Sequence, residues 1–424
     1  MRFKSDKIAI LGLGYVGMPL AKKFAKKFNV IGFDINQNKI DQLKKFSKIK
    51  NAKNISKKGL ILTSNEIDLK NSDIFIVTVA TPVNKNKIPD LRYLKNASAL
   101  ISRNLKKNNL VIYESTVYPG LTEDICVPIL EKYSGLKFNK DFSVGYSPER
   151  VSPGDKNDFT NLNKIVSGST IEAAKFIYKL YKSIIIADVH IASSIKVAEA
   201  SKIVENIQRD VNISFMNEIS LILSKLKIDT QEVLKAAKTK WNFLDFTPGL
   251  VGGHCISVDP YYLTYKAKQH NYNPQVILSG RNINQNMGKY VGNTVVKKIK
   301  KIFKFKKKIE IGIFGLTFKE NINDTRDSKV FDIINILSKN RFYKIYTFDP
   351  YLTKEDIKLP KNISLNKAIN KIDVFILAVP HKKFPTFNEK KIKNILRDDN
   401  SLIVDIKGVI KNKKIKDNYN YWSL

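Results

Sequence analysis

The chain has 424 residues, 43% of them apolar and 10% aromatic, enough to bury a sizeable core and typical of globular rather than disordered proteins. No apolar run approaches the roughly 20 residues of a membrane helix, and the polar stretch Met1 to Asp6 leads straight into a strand, so no secretory leader is read and the cytoplasm is the expected compartment. A net charge of +35 would suit nucleic acid, but only nine of the 74 basic residues are arginine and the lysines spread along the whole chain. They read as solvated faces that attract small anionic substrates, with neither nucleic acid nor membrane as a partner.

In chain order, short β-rich runs alternate with amphipathic stretches, the pattern of a parallel sheet with crossover helices. Lys7 to Leu11 reads as the first strand, Pro19 to Phe28 as its helix and Asn29 to Asp34 as the second strand. Ile74 to Ala80 and Leu110 to Glu114 add buried strands that end in the polar turns Thr81-Pro82 and Ser115-Thr116. Such turns lie beyond the carboxyl ends of the strands, where open α/β sheets bind ligands. From Ser193 to Ile299 the pattern is helical, and Ala198 to Leu226 predicts one extended helix suited to a homodimer seam. After the lysine-rich run Lys297 to Lys308, the strands Glu310 to Gly315, Lys344 to Asp349, Asp373 to Val379 and Ser401 to Asp405 repeat the opening order. Gly315 and Asp349 stand where the first copy has its glycine turn and acidic stop. The expected fold is α/β, with two Rossmann-like, doubly wound parallel-sheet domains joined by a central helical region with a long helix. Their bounds are 1–192, 193–300 and 301–424.

Gly12-Leu13-Gly14-Tyr15-Val16-Gly17 follows the first strand and opens its helix. Gly12 allows the tight turn, Gly14 the approach of a pyrophosphate, and Gly17 close packing of helix on strand. Asp34 ends the second strand, where it accepts from ribose hydroxyls and repels a 2′-phosphate, which favours NAD over NADP. Two cysteines, Cys126 and Cys255, rule out a disulfide framework, and four dispersed histidines offer no spaced metal-ligand pairs. Cys255 follows Gly252-Gly253-His254 and precedes Asp259 by four residues in a loop punctuated by glycine and proline. Catalytic nucleophile and buried inert thiol are both open for it on these grounds. Lys202 and Asn206, four apart on a helix, share a face and form a reasonable oxyanion clamp, although an exposed helix face explains them as well.

Taken together, these residues resemble the UDP-glucose/GDP-mannose dehydrogenase family over nearly the whole chain. The matching segments are Ile10 to Gly17, Glu114 to Gly120, Gly145 to Arg150, Lys202 with Asn206, Gly252 to Cys255, and Gly315 to Lys319 with Asp324-Thr325-Arg326. The resemblance implies NAD-dependent, four-electron oxidation of a nucleotide-sugar C6 alcohol to the carboxylate, with Cys255 as the nucleophile of a thiohemiacetal and then a thioester. It implies further that Lys202 and Asn206 stabilise the C6 oxygen, that Asp259 and Thr116 hold a water, and that Glu149 assists hydrolysis. Gly12, Gly14, Tyr15, Val16, Gly17, Asp34, Thr81, Pro82, Thr116 and Arg326 would contact the cofactor. Glu149, Arg150, Lys202, Asn206, Gly252, Lys319 and Lys407 would contact the substrate.

Where UDP-glucose and GDP-mannose oxidisers tend to carry a second glutamate after Pro-Glu, this chain reads Pro148-Glu149-Arg150-Val151-Ser152-Pro153-Gly154. That departure, with Tyr113 to Gly120 and Lys240-Trp241-Asn242-Phe243, resembles the branch acting on UDP-N-acetylhexosamines for O-antigen or capsule synthesis. UDP-N-acetylglucosamine is the first expectation and UDP-N-acetylgalactosamine the second. UDP-N-acetylmannosamine, UDP-glucose and GDP-mannose are the remaining alternatives.

Overall fold

The computed structural model describes residues 3–47, 59–150, 159–254, 256–306, 308–357, 359, 363–366 and 371–424. The chain divides into two compact units: Met1–Glu205 with Tyr261–Asn273, and Asn206–Pro260 with Pro274–Leu424. The first opens with β1 (Lys7–Leu11), α1 (Gly17–Phe24), β2 (Asn29–Phe33), α2 (Gln37–Ser47), β3 (Gly59–Thr63) and β4 (Ile74–Val77). It continues with α3 (Arg92–Ser102), β5 (Leu110–Tyr113), α4 (Val127–Ser134), β6 (Ser143–Tyr146), β7 (Lys164–Gly168), α5 (Ile171–Lys182) and β8 (Val189–Ile191). The central helices are α6 (Ile195–Leu226), α7 (Thr230–Ala237), α8 (Asp259–Gln269) and α9 (Gln275–Ile302), and the unit boundary runs through α6 and α8.

The strands of the first unit form one sheet in the order β3-β2-β1-β4-β5-β6-β7-β8, parallel except where β6 meets β7. After Lys7, β1 (IAIL) is apolar, as is β4 (IFIV) throughout, because helices cover both faces of a parallel sheet. Ile8, Ile10 and Ile76 pack with Phe24 of α1 and with Ile177 and Tyr181 of α5. The strand order reverses between β1 and β4, which makes their carboxyl ends the topological switch point. The β4 strand stops at Val77, short of the expected Ala80, because the Thr78 hydroxyl turns back to the carbonyls of Leu11 (3.0 Å) and Gly12 (2.7 Å).

The second unit carries β9 (Ile309–Phe314), α10 (Val330–Leu337), β10 (Tyr343–Phe348), β11 (Ser364–Leu365) and β12 (Val374–Leu377). It ends with α11 (Glu389–Ile395), β13 (Leu402–Asp405), α12 (Lys413–Asn418) and β14 (Asn420–Ser423). The order β11-β10-β9-β12-β13-β14, all parallel, repeats the first sheet's order about its switch point. Val291 and Val295 of α9 and Ile333 and Leu337 of α10 cover Ile311, Ile313 and Ile376. The architecture is therefore two Rossmann-like, doubly wound sheets with a helical stretch between them in sequence, and its long helix α6 runs 32 residues, starting three before the expected Ala198.

The repeat extends to the turns. Gly12 and Gly315 both take positive φ, +95° and +86°, and both donate their N–H to the end of the next strand, Phe33 and Phe348, at 2.8 Å. In each copy the acid after that strand accepts from the residue following the glycine: Asp34 from Leu13 (3.0 Å), Asp349 from Leu316 (2.7 Å). Thereafter the copies diverge. Thr317 and Glu320 replace the second and third glycines, and α10 begins only at Val330, so the second turn does not lead its helix onto a phosphate.

Candidate active site

In the first unit the glycine turn is built for a bound group. A Cβ on Gly17 would lie 2.0 Å from the Gly12 carbonyl oxygen, so this glycine serves packing of α1 on β1. A Cβ on Gly14 would meet no protein atom within 4 Å, so Gly14 borders open space of the kind a pyrophosphate fills. Val16 precedes α1 without a side-chain cap, so no side chain blocks the N-terminal end of the helix from an anion, and Tyr15 beside it is exposed. These residues fit NAD.

Asp34 is buried, and its carboxylate also accepts from the Asn36 N–H (3.1 Å) and from Lys39 Nζ (2.6 Å). Sequence reading passed over Lys39; its place one helical turn after Asn36 at the start of α2 was the available sign.

Around the switch point the Thr81 and Pro82 carbonyls accept from the buried Tyr262 hydroxyl at 3.0 and 3.4 Å. Thr116 stands in the loop after β5, half-buried, beside Ser115, whose hydroxyl donates to Val79 (2.7 Å). Four residues on, the Gly120 N–H donates to the carboxylate of Glu199 at 2.5 Å, and the Thr122 N–H does so at 2.9 Å. Glu199 lies on α6 three residues before Lys202. Burial pushes its pKa up to about 7, against the opposing pull of these N–H donors. Lys202 is itself buried, 7% exposed, and makes no hydrogen bond or ion pair among the described residues.

A cavity of about 540 Å³ brings the glycine turn and the loop after β6 together, lined by Tyr15, Val16, Glu149, Arg150, Asn163 and Lys164 among others. Arg150 is held by Glu205 of α6 (2.8 Å) and by the Asn163 carbonyl (3.0 Å). Glu114, Lys164 and Tyr181, none of them read as functional from sequence, form a buried cluster behind Glu149.

The second unit gathers the remaining candidates. Asn206 Nδ2 donates to Asp259 Oδ2 at 2.5 Å, both residues being buried, and Asp259 opens α8. Cys255 lies outside the described residues. Its neighbours are packed for a reason that sequence reading did not supply. A Cβ on Gly252 would come within 2.5 Å of the Asp327 carbonyl, and one on Gly253 (φ +88°) within 2.6 Å of the Phe318 ring. These glycines let the loop lie against the Phe318 to Asp327 turn, and Gly253 donates to Arg326 O at 3.0 Å. Arg326 is paired in bidentate fashion with Asp324, the shortest contact being 2.6 Å. Burial, and then the Arg326 charge, lower the His254 pKa, so its imidazole is neutral at pH 7. Lys319 follows in the same turn, its carbonyl accepting from Thr317 at 2.8 Å, and Lys407 pairs with Glu320. The Asp349 carboxylate has a further buried partner, His381 Nε2 at 3.0 Å, where Asp34 has Lys39.

Among the described residues no cluster of three or more metal-ligating side chains occurs, and no helix is long and apolar enough to cross a membrane. A Rossmann unit with its pyrophosphate turn open, followed in sequence by a second Rossmann-like unit whose turn has lost that shape, is the framework of a dinucleotide-binding protein. Three family models match in succession: the NAD binding domain of the UDP-glucose/GDP-mannose dehydrogenase family at residues 6–185, its central domain at 196–286 and its UDP binding domain at 312–412. The chain belongs to that family.

Its relatives include Protein CapL of Staphylococcus aureus, 47% identical over 98% of this chain and 99% of that one. A UDP-N-acetyl-D-glucosamine 6-dehydrogenase of Pseudomonas aeruginosa is 46% identical over 97% and 99% respectively. Among solved structures, a UDP-D-ManNAc dehydrogenase from Pyrococcus horikoshii superposes with a TM-score of 0.84 at 30% identity, covering 98% of each chain.

Proposed function

We propose that the chain oxidises the C6 alcohol of UDP-N-acetyl-D-glucosamine to the carboxylate, for surface polysaccharide synthesis. The observation that carries the choice of sugar is identity: 46% and 44% to two proteins named UDP-N-acetyl-D-glucosamine 6-dehydrogenase, against 31–35% to those named UDP-N-acetyl-D-mannosamine dehydrogenase. Bound NAD supplies the hydride acceptor, held by the Gly12 to Gly17 turn, Asp34 and the Thr81-Pro82 turn.

Lys202, a buried lysine, stabilises negative charge that develops on the C6 oxygen, and Asn206 orients Asp259. The Cys255 thiol adds to the aldehyde carbon and gives up its proton. Loss of a second hydride from that adduct leaves a thioester, and water then releases the carboxylate and restores the thiol. Asp259 and Thr116 hold the water through which the protons of these steps leave, and Glu149 assists the hydrolysis. The balance is one alcohol, two NAD and one water giving one carboxylate, two NADH and three protons.

Lys319 and Lys407 are the lysines assigned to the substrate, with Arg150 and Gly252 as further substrate contacts, and Arg326 is assigned to the cofactor. The assembly proposed is a homodimer through α6, whose Val204, Phe215, Ile222 and Leu226 are exposed; light scattering at twice the chain mass tests it.

NADH yield per limiting sugar tests the reaction, with UDP-N-acetylgalactosamine, UDP-N-acetylmannosamine, UDP-glucose and GDP-mannose run in parallel. Two NADH per UDP-N-acetylglucosamine, and none from Cys255→Ala in the second step, is the expected result. Two NADH only from another sugar overturns the substrate, and one NADH from every sugar overturns the thioester route.

A further inference from the structure

Two groups given chemical roles above stand just beyond neighbouring strands: Thr116 after β5 and Glu149 after β6. Between them lies a charged cluster in an otherwise apolar core. Glu114, 1% exposed, accepts from Lys164 Nζ at 2.7 Å through one carboxylate oxygen and from the Tyr181 hydroxyl through the other. The Lys164 ammonium also donates to the Pro148 carbonyl at 3.0 Å and stands 5.2 Å from the centre of the Tyr181 ring. Pro148 is the residue before Glu149.

Topology explains the placement. β7 runs antiparallel to β6 with Tyr146 opposite Ser167, so the start of β7 at Lys164 extends past the end of β6, alongside Pro148 and Glu149. The two loops are further tied by Tyr146, whose hydroxyl donates to the Ser115 carbonyl at 3.2 Å, and by the Ser147 N–H, which donates to Tyr113 O at 2.9 Å.

Stability does not account for such a pair. Side-chain exposures of 9% for Lys164 and 0% for Glu114 mean that both charges have been stripped of water, and apolar residues of similar volume commonly serve a core as well or better. Burial raises the Glu114 pKa, the Lys164 charge opposes the rise and the Glu149 charge adds to it, so the cluster and Glu149 interact electrostatically. Lys164 also lines the cavity that Glu149 enters.

We propose that Lys164, locked by Glu114 and Tyr181, is a positioning residue for the oxidation: it clamps the Pro148 carbonyl, sets the direction of Glu149 and couples that loop to the one bearing Thr116. The proposal rests on the role given to Glu149 under Proposed function.

The test is a double-mutant cycle in the full-length enzyme, on whichever nucleotide sugar the wild type oxidises. Lys164→Met is expected to lower kcat about tenfold or more. In a Glu149→Gln background the same change is expected to lower kcat less than about twofold, since the residue it positions has already lost its function. Equal losses in both backgrounds overturn the proposal. Glu114→Gln/Lys164→Met, which removes both buried charges, controls for folding: its melting temperature is expected to recover relative to Lys164→Met while kcat stays low. Recovery of kcat together with stability would make the pair merely structural and overturn the proposal. Wild-type turnover by Glu149→Gln alone would instead refute the role of Glu149, and this proposal with it.

Discussion

Replacing Glu199 by glutamine gives a pH-dependent change in stability whose size follows from one buried carboxyl. In the folded chain its pKa is about 7, against 4.5 for an ordinary glutamate. Between those values the folded state holds a proton that the unfolded state has released, so the group's contribution is full below about pH 4.5 and is lost as pH rises through about 7. The whole window is worth about 3 kcal/mol, and about 2 kcal/mol of it falls between roughly pH 5.5 and 8.5.

Glutamine keeps the shape and an acceptor for one of the two N–H groups but does not titrate. Wild type and Glu199→Gln should therefore differ in stability by an amount that changes by about 2 kcal/mol across that interval, the wild type losing ground as pH rises. Urea denaturation at both pH values measures it, followed by far-UV circular dichroism because Trp241 and Trp422 both lie in the other unit. Every other titrating group is common to both proteins and cancels. Parallel pH–stability curves would refute the reasoning, because Glu199 would then carry no excess proton in the folded state.

Gly14→Ala should fold with an unchanged melting temperature yet bind NAD at least about tenfold more weakly (~1.4 kcal/mol) by calorimetry, because the added methyl meets only the space the pyrophosphate needs. Gly17→Ala should lose stability and NAD binding together, its methyl falling 2.4 Å from the Thr78 hydroxyl oxygen as well as on the Gly12 carbonyl. In the second unit, Arg281→Met leaves Asp210 buried without its 2.6 Å ion pair, so tryptophan-monitored urea unfolding should show a loss of about 3–5 kcal/mol. Asn206→Ala should lower kcat about 100-fold with little change in KM, provided Asp259 acts only when it is held; an unchanged kcat removes the pair from the chemistry.

The strands were legible because each carries its signal locally: β1, Lys7 to Leu11, was read to the residue, and β5 and β13 to within one. The turn at Gly12 and its acid Asp34 were legible for the same reason, as was the weaker echo at Gly315 and Asp349. Why positions 252 and 253 are glycine was not legible, because the Phe318 and Asp327 atoms they accommodate lie more than sixty positions away. Glu114 was marked only as the end of a strand and the start of a matching segment, and its pairing with Lys164 and Tyr181 was not legible, since fifty residues separate the partners of the ion pair and lysine is abundant everywhere in this chain.

By itself, then, the sequence determined what short-range physics writes into it: hydrophobic period, glycines where φ must be positive, and the order of elements that makes two Rossmann-like sheets. Only the tertiary structure decided which charges are buried and with whom. Desolvation depends on the whole set of neighbours that folding assembles around a group. That is why Glu199 holds a proton near neutral pH, Asp349 is taken by His381, and Lys164 points at the carbonyl before Glu149.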